Sequence, residues 1–247
     1  MSYDIFAHYY DEIMDQSVYD SWLLYVEKYT AGKSGLDIME LACGTGKIAV
    51  ELAKKGHQVT GVDLSDEMLS LAYNRMQEEG VTLSLAVGDM RSLEPMGDFD
   101  VVTCFSDSLC YMSDEAEVAE VFQSVSRNLG PGGVFLFDVH SMHQVNDVFP
   151  GYQYIYQDEA GAFLWESFAG DAANSVEHDL TFFVGSQSNP ELFERHSEYH
   201  RERTYPLEVY KRLLEEAGFT DVTATAEFGE ADVCDDSPRW FFACKKA

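Results

Sequence analysis

Short apolar runs alternate with amphipathic stretches between residues 36 and 138, and this alternation constrains the fold more than any other feature. It is typical of βαβ units, in which helices cover both faces of a parallel sheet. Strands are predicted over 36–41, 58–62, 82–87, 100–105 and 134–138, and helices over 47–55, 66–79 and 114–129. Ser65 is a predicted helix N-cap, and Gly56 and Gly80 follow predicted helix ends. The pattern therefore indicates a doubly wound α/β sheet.

The two flanks of this region follow other patterns. Before residue 35, aromatic and aliphatic residues recur at helical spacing, which predicts two helices that pack on the sheet or cover its binding edge. After Asp138, aromatic segments alternate approximately, as antiparallel strands do, before a helix and two strands close the chain. We therefore predict an N-terminal helical cap (1–34), an α/β core (35–140 and 206–247) and a small antiparallel insertion (141–205).

The acidic residues are spread along the chain and give it a formal net charge of −28. Such a surface repels the phosphates of nucleic acids unless a basic patch compensates. The best basic run, RHSEYHRER over 195–203, is interrupted by two glutamates. Nucleic acid is therefore not the expected partner, and a small polar molecule or a basic protein is easier to accommodate. The composition does not determine the oligomeric state, and a homodimer is possible.

The sequence shows no sign of a membrane anchor or a metal centre. Its first residues lack the regions of a signal peptide, and no apolar stretch approaches the roughly 20 residues that span a bilayer, so we expect a cytoplasmic protein. The five cysteines form no CxxC pair, which indicates reduced thiols and no zinc site. His196 and His200 are four residues apart, but they lie in a strand-like segment without an HExxH motif, so no metal role is expected.

The loop after the first predicted strand, Glu40 to Gly46 in MELACGTG, is rich in small residues. Ligands of open α/β sheets bind beyond the carboxyl ends of the strands. A GxGxxG dinucleotide fingerprint would need glycine at 42, 44 and 47, where the chain has Ala42, Gly44 and Lys47. The loop instead resembles motif I of class I S-adenosylmethionine (SAM) dependent methyltransferases, an acidic residue followed by GxGxG, with Ala42 in place of the first glycine. A buried acid such as Glu40 is costly without a partner, and the positively charged amino-acid end of SAM would be one.

Residues at the next two strand ends extend the resemblance. Asp63 would accept hydrogen bonds from the ribose hydroxyls, although an NAD enzyme would also place an acid there. Met68 could contact the adenine ring or belong to the helix core. Asp89 and Met90 fit the motif in which a carboxylate accepts from the adenine amino group. The cofactor-binding residues implied by the resemblance are Tyr10, Glu40, Ala42, Cys43, Gly44, Gly46, Asp63, Leu64, Met68, Asp89, Met90, Phe105 and Asp107.

The last two strand ends and the N-terminus raise further candidates, each with an alternative. In the segment DVVTCFSDSLCYM, Phe105 and Ser106 would line the cofactor, whereas Asp107, Leu109 and Tyr111 would lie towards the reaction centre. Asp107 and Ser108 could equally cap a turn. His140 could take a proton from an amine or hydroxyl acceptor, or could serve only in packing. Tyr10, or in its place Tyr3 or Tyr9, would approach the methionine carboxylate, or belong to a structural aromatic stripe.

The resemblance implies a Rossmann-like, seven-stranded sheet whose last strand runs antiparallel. It also implies SN2 transfer of the SAM methyl group to an aligned nucleophile, for which no dedicated base is required unless the acceptor loses a proton early. We predict a small-molecule acceptor, with protein as the second choice. The aromatic insertion could form a hydrophobic or cation-π lid over it. DSLCY over 107–111 differs from the NPPY-type motif of enzymes that methylate nucleic-acid amino groups. A nicotinamide oxidoreductase and a non-catalytic SAM-binding protein are the competing classes. Catalytic residues stay unassigned, with His140 and Tyr111 as weak candidates.

Overall fold

A computed structural model describes residues 16–158, 161–186 and 189–247. The predicted first helix, with Tyr3, Tyr9 and Tyr10, lies outside these residues. The second N-terminal helix is α1 (Gln16–Thr30). The predicted βαβ alternation then follows in order, with boundaries that shift by one to a few residues. It comprises β1 (Asp37–Leu41), α2 (Lys47–Lys54), β2 (Gln58–Asp63), α3 (Asp66–Glu78), β3 (Ser84–Val87), β4 (Phe99–Cys104), a 3₁₀ helix (Ser108–Tyr111), α4 (Glu115–Asn128) and β5 (Leu129–His140).

Helix α3 begins as its sequence predicts. The Ser65 hydroxyl accepts a hydrogen bond from the Met68 backbone N–H at 3.2 Å, and two acidic residues occupy the first turn.

Strand β5 differs more from its prediction, because it starts at Leu129 and includes the glycine-rich stretch GPGG. The pairing of β5 with β4 shifts register there, between Phe99 and Val101. This irregularity in the pairing accommodates glycines that otherwise indicate a loop.

The remaining elements form a second, antiparallel sheet and the far side of the main sheet. A short π-helix (Gln144–Val148) leads into β6 (Gln153–Gln157), β7 (Gly161–Ala169), β8 (Ser175–Ser186) and β9 (Asn189–Arg203), which pair in that order. The chain then returns through α5 (Leu207–Glu216), β10 (Phe219–Ala226), a 3₁₀ turn, β11 (Ala231–Asp232) and β12 (Arg239–Lys246).

The main sheet has the strand order β11-β10-β12-β5-β4-β1-β2-β3. Strands β1 to β5 are parallel, and β12 runs antiparallel between β5 and β10, so the prediction of an antiparallel last strand is confirmed. The predicted seven strands become eight, because the two-residue β11 pairs with the edge of β10. From β1 the chain adds β2 and β3 on one side and then returns to add β4 and β5 on the other side of β1. The connections that leave β1 and β4 therefore diverge, and a ligand crevice forms beyond the carboxyl ends of these two strands.

Apolar side chains bury both faces of this sheet. On one face, α4 and α5 cover the aromatic rings of β5 and β12; Phe137 and Phe242 stack there with ring centroids 4.7 Å apart. On the other face, α1 contributes Trp22 and Tyr25, each 1% exposed. No described helix is long and apolar enough to cross a membrane. The sheet is thus a rigid platform whose loops can be positioned accurately.

The aromatic residues of the small sheet do not form the predicted lid over the crevice. Phe163 and Phe182 stack on each other at 4.7 Å in a core of their own, and Tyr154, Tyr156 and Phe168 are exposed. The face that the sheet turns to the main domain instead carries polar side chains of β9, because residues alternate between the two faces of a strand. This charged face bears on the choice of acceptor.

Candidate active site

Two adjoining cavities lie beyond the carboxyl ends of β1, β2, β3 and β4. The larger has a volume of about 600 Å³ and the smaller of about 180 Å³. Both are lined by Ala42, Gly44, Met68, Ser108 and Tyr111, which makes them parts of one crevice. The larger also contains Asp63, Leu64, Asp89 and Met90, and the smaller contains Glu40, Cys43 and Phe105. The crevice is therefore lined by ten of the thirteen residues assigned from the sequence to the cofactor; Gly46 and Asp107 do not line it, and Tyr10 lies outside the described residues.

The loop after β1 has a backbone that favours small residues. Ala42 adopts a φ of +52°, in the left-handed region that costs a residue with a Cβ about 1–2 kcal/mol. This is the position at which the methyltransferase motif usually has glycine. Gly46 has a φ of +73°, and a Cβ added there would lie 2.8 Å from the Ala72 Cβ. Gly46 is therefore required for the packing of α2 against α3, not for lining the cavity.

Asp63 connects the first two loops of the site. Its Oδ2 accepts a hydrogen bond from the Gly44 backbone N–H at 2.8 Å, and its Oδ1 accepts one from the Ser65 N–H at 2.9 Å. Hydrogen bonds of this kind to a charged acceptor are shorter and stronger than those between neutral groups. The carboxylate lies on the wall of the larger cavity, so it both fixes the glycine loop and faces the ligand space.

Glu40 is 4% exposed, and its Oε2 has no hydrogen-bond partner among the described residues. Burial raises the pKa of Glu40 to about 8; a backbone hydrogen bond from Ala49 offsets part of this effect, and the nearby charge of Asp63 adds to it. The indole Nε1 of Trp22, in the same cavity, also has no described partner. A buried acceptor and a buried donor are thus both available. They match the ammonium and carboxylate of an amino-acid group, so the crevice fits SAM at this end.

Asp89 also lines the larger cavity. Arg91 donates to both of its carboxylate oxygens and also pairs with Glu117. The Arg91 hydrogen bond holds the pKa of Asp89 below its ordinary value, although partial burial opposes this. The carboxylate therefore stays ionised as an acceptor. Met90 and Met68 complete an apolar surface beside it, as expected for a planar ring.

The turn after β4 places Phe105 and Asp107 in different surroundings. Phe105 lines the smaller cavity and stacks on Trp22. Asp107 is not among the lining residues of either cavity; its Oδ1 lies 2.9 Å from Arg239 Nη2 and its Oδ2 3.1 Å from His140 Nε2. Burial acts to raise the pKa of Asp107, but Arg239 and His140 outweigh it, so the pKa lies below its ordinary value. The assignment of Asp107 to the cofactor stays a prediction, which this pairing does not favour.

Of the two residues that could cap this turn, Asp107 and Ser108, only Ser108 bonds to the backbone of the turn through its side chain. Ser108 Oγ donates to the Phe105 carbonyl at 2.8 Å, whereas Asp107 makes no side-chain cap. Both Ser106 and Asp107 have left-handed φ angles, of +56° and +53°. Consecutive residues in that region store strain, which surrounding contacts must hold in place.

Tyr111, one of the two catalytic candidates, stands where the two cavities meet and is 46% exposed. Its hydroxyl lies 2.9 Å from His200 Nδ1, and His200 Nε2 lies 3.1 Å from Glu198 Oε2. A carboxylate only accepts, so a neutral His200 donates through Nε2 and its Nδ1 accepts the proton of Tyr111. A hydrogen-bonded series, Glu198 to His200 to Tyr111, thus runs from β9 to the crevice.

His140, the other candidate, is buried behind this crevice. Its Nε2 lies between Asp107 Oδ2, at 3.1 Å, and Glu202 Oε2, at 3.4 Å. Phe149 packs edge-on against its ring. Its assignment as a general base is not tested by these contacts. The sequence prediction missed Trp22, Glu198 and Glu202 as residues of this region, and it considered His200 only as a metal ligand.

Comparison with known proteins agrees with this geometry. The profile of a methyltransferase domain matches residues 38–133. YqeM of Bacillus subtilis (strain 168), named as a methyltransferase, is 42% identical over 248 residues, covering all of this chain and 98% of YqeM. A methyltransferase-type protein of Geobacillus sp. (strain WCH70) is 40% identical over the full length of both chains. The structure of a SAM-dependent methyltransferase from Clostridium acetobutylicum matches with a TM-score of 0.87 and 30% identity over 99% of each chain.

The chain therefore belongs to the class I SAM-dependent methyltransferases, and SAM is its cofactor. The resemblance inferred from the loop after β1 is confirmed at the level of fold, family and cofactor. The assignment of individual residues to parts of the cofactor stays a prediction.

Proposed function

We propose that this methyltransferase acts on a polar small molecule carrying an amine or hydroxyl group. The observation that carries this proposal is the charged wall that the small sheet presents beside the cofactor crevice. His200 lines the larger cavity, and a further cavity of about 240 Å³ is lined by Glu177, Arg201, Glu202 and Arg203. Polar groups of this kind fix the orientation of a ligand in a pocket. The net charge of −28 also disfavours nucleic acid as the acceptor.

More distant relatives support the same class of acceptor. A dTDP-amino-sugar N,N-dimethyltransferase of Saccharopolyspora spinosa is 31% identical over 101 residues, and a ubiquinone biosynthesis O-methyltransferase of Colwellia psychrerythraea is 36% identical over 104 residues. Each match covers 41% of this chain. They support small molecules in general and no particular acceptor, because each match covers less than half of this chain.

When bound, SAM supplies an electrophilic methyl group on a sulfonium, and much of the catalysis can come from alignment and exclusion of water. In our proposal, Glu40 and Trp22 hold the amino-acid end, Asp63 the ribose, and Asp89 the adenine. Tyr111 donates its proton to His200, and its phenol oxygen can accept a hydrogen bond from the N–H or O–H of the acceptor. The series from Glu198 would therefore orient the nucleophile at the junction of the two cavities.

Labelled SAM tests the acceptor class. The purified protein and methyl-labelled SAM are incubated with a Bacillus subtilis extract that has been divided into a small-molecule filtrate, proteins and nucleic acids. We expect label in the filtrate, followed by a product with the mass gain of one methyl group. The Asp63→Ala variant serves as the enzyme blank. Label in protein would establish the protein methyltransferase alternative. SAM binding without label in any fraction would favour a non-catalytic SAM-binding protein.

Replacing Tyr111 with phenylalanine is expected to slow labelling of that filtrate by about 10- to 100-fold, because the nucleophile loses its oriented partner. SAM affinity, measured by calorimetry, should change little. The matched control is Tyr199→Phe, since Tyr199 is 52% exposed on the opposite face of β9. Equal rates for the Tyr111 variant and the wild type would remove the hydrogen-bonded series from the mechanism.

Cytoplasmic location, the choice between monomer and homodimer, and the domain limits at 34, 140 and 205 stay predictions. All five cysteines are free, as the sequence predicts, and all but Cys234 are buried. Free thiols agree with a reducing compartment.

A further inference from the structure

A cluster of metal-ligating side chains lies between the main sheet and the small sheet. Asp107 comes from the turn after β4, His140 from the end of β5 and Glu202 from β9. One ligand atom of each lies within 4.8 Å of the other two. His140 Nε2 is 3.1 Å from Asp107 Oδ2 and 3.4 Å from Glu202 Oε2. Three separate elements thus converge on one point.

Glu202 gives an independent reason to expect a ligand here. Its side chain is 8% exposed, and Oε2 makes no hydrogen bond to any described residue. A buried carboxylate oxygen without a partner is costly. The one guanidinium in the cluster, that of Arg239, already pairs with Asp107 and Asp138. The carboxylates of Asp107, Asp138 and Glu202 therefore lie around one fixed positive charge, that of Arg239, and this charge is paired with the first two. Glu202 is left without a cationic partner of fixed charge.

The spacing suits a divalent metal ion. Ligands about 2.1 Å from a metal, at angles of 90° to 109°, are separated by about 3.0–3.4 Å. The two distances from His140 Nε2 lie within or at the edge of that range. We propose that Asp107, His140 and Glu202 bind one divalent transition-metal ion. One imidazole and two carboxylates suit manganese, iron or zinc, and three protein ligands leave coordination positions open.

The surroundings of the cluster supply an outer contact to Asp107 and place a second histidine near Glu202, as outer residues do around metal ligands. Trp165 Nε1 donates to His178 Nδ1 at 3.1 Å, so a neutral His178 carries its proton on Nε2, which lies 3.8 Å from Glu202 Oε2. Arg239 holds the other oxygen of Asp107. The contact with Arg239 orients the Asp107 carboxylate from outside the cluster, whereas the 3.8 Å separation from His178 is too long for a hydrogen bond and leaves Glu202 Oε2 available to an ion. Glu202 also lines the cavity of about 240 Å³, which gives an ion a route to the cluster.

Manganese binding tests this site without any methyl acceptor. Chelator-treated protein is titrated with Mn²⁺, and the free-ion signal is followed by electron paramagnetic resonance. We expect one Mn²⁺ per chain, with pulsed spectra that show a coordinated imidazole nitrogen. His140→Gln should remove the nitrogen signal, and Glu202→Gln should weaken binding by at least about 10-fold. Glu202→Asp, which keeps the carboxylate, should bind better than Glu202→Gln.

The control is His143→Gln, since His143 is a nearby, more exposed histidine paired with Asp147 outside the cluster. Circular dichroism and SAM calorimetry confirm that each variant is folded. The proposal is overturned if folded wild-type protein binds neither Mn²⁺ nor Zn²⁺ at millimolar concentration, or if binding is the same in the His140 and Glu202 variants. Because the readout is metal binding, loss of the proposed acceptor class would leave this result unchanged.

Discussion

Replacing Asp63 with alanine is expected to weaken SAM binding by at least about 100-fold. The carboxylate accepts hydrogen bonds from the Gly44 and Ser65 backbones, and so holds the loops after β1 and β2 in one arrangement. A hydrogen bond to a charged group contributes about 1.5–3 kcal/mol, and each 1.4 kcal/mol is a factor of ten in affinity. The variant loses both anchors and the predicted ribose contacts. Calorimetry with SAM and with S-adenosylhomocysteine measures the change.

The matched control for this variant is Asp66→Ala. Asp66 lies three residues further on, in the first turn of α3, and is exposed. Its loss should change SAM affinity by only a few fold, because a surface charge near a helix N-terminus is worth less than about 1 kcal/mol. Urea unfolding separates loss of the fold from loss of the site. Tight binding by a folded Asp63→Ala protein would contradict the assignment of Asp63 to the ribose.

Local sequence determined much of the main sheet. The alternation of apolar runs and amphipathic segments located β1, β2 and α3 closely, because each run is buried by the sheet and Ser65 supplies a cap. The start of β5 could not be predicted in this way. Its glycines take part in a strand only because β4 pairs with Leu129 before them and with Val134 after them, across a shift in register. The edge strand β11 likewise depends on β10, a partner that no local pattern reveals.

The residues of the site likewise fall into those that local sequence predicts and those that depend on tertiary packing. Glu40, Asp63 and Asp89 could be predicted because each follows a strand, and the ends of parallel strands share one edge. Trp22 could not, since its place depends on how α1 packs against the sheet. Glu198, His200 and Glu202 alternate with Tyr199 and Arg201, a period of two that indicates one shared face of β9. That pattern was available, but only tertiary packing shows that the face meets Tyr111 and His140.

The buried carboxyl of Glu40 makes the stability of the ligand-free protein depend on pH. Its pKa is about 8 in the folded chain, against about 4.5 when exposed. The folded state therefore binds the proton more tightly, so this contribution to stability is complete below pH 4.5 and is lost as the pH rises through 8. At 1.36 kcal/mol per pKa unit the loss amounts to at most about 5 kcal/mol. Glu40→Gln should remove this loss, and urea unfolding at pH 6 and pH 9 measures it.

The same carboxyl predicts that SAM binding releases a proton near neutral pH. With a pKa of about 8, Glu40 is mostly protonated at pH 7 before the ligand arrives. The ammonium of SAM favours the ionised form, so its binding should expel close to one proton. Calorimetry at pH 7 in two buffers of different ionisation enthalpy counts that proton. Glu40→Gln should bind SAM at least about 10-fold more weakly and release none, while Glu67→Gln, at an exposed glutamate lining the larger cavity, should behave as the wild type. Equal proton release by the wild type and Glu40→Gln would show that Glu40 is not the partner of the cationic group.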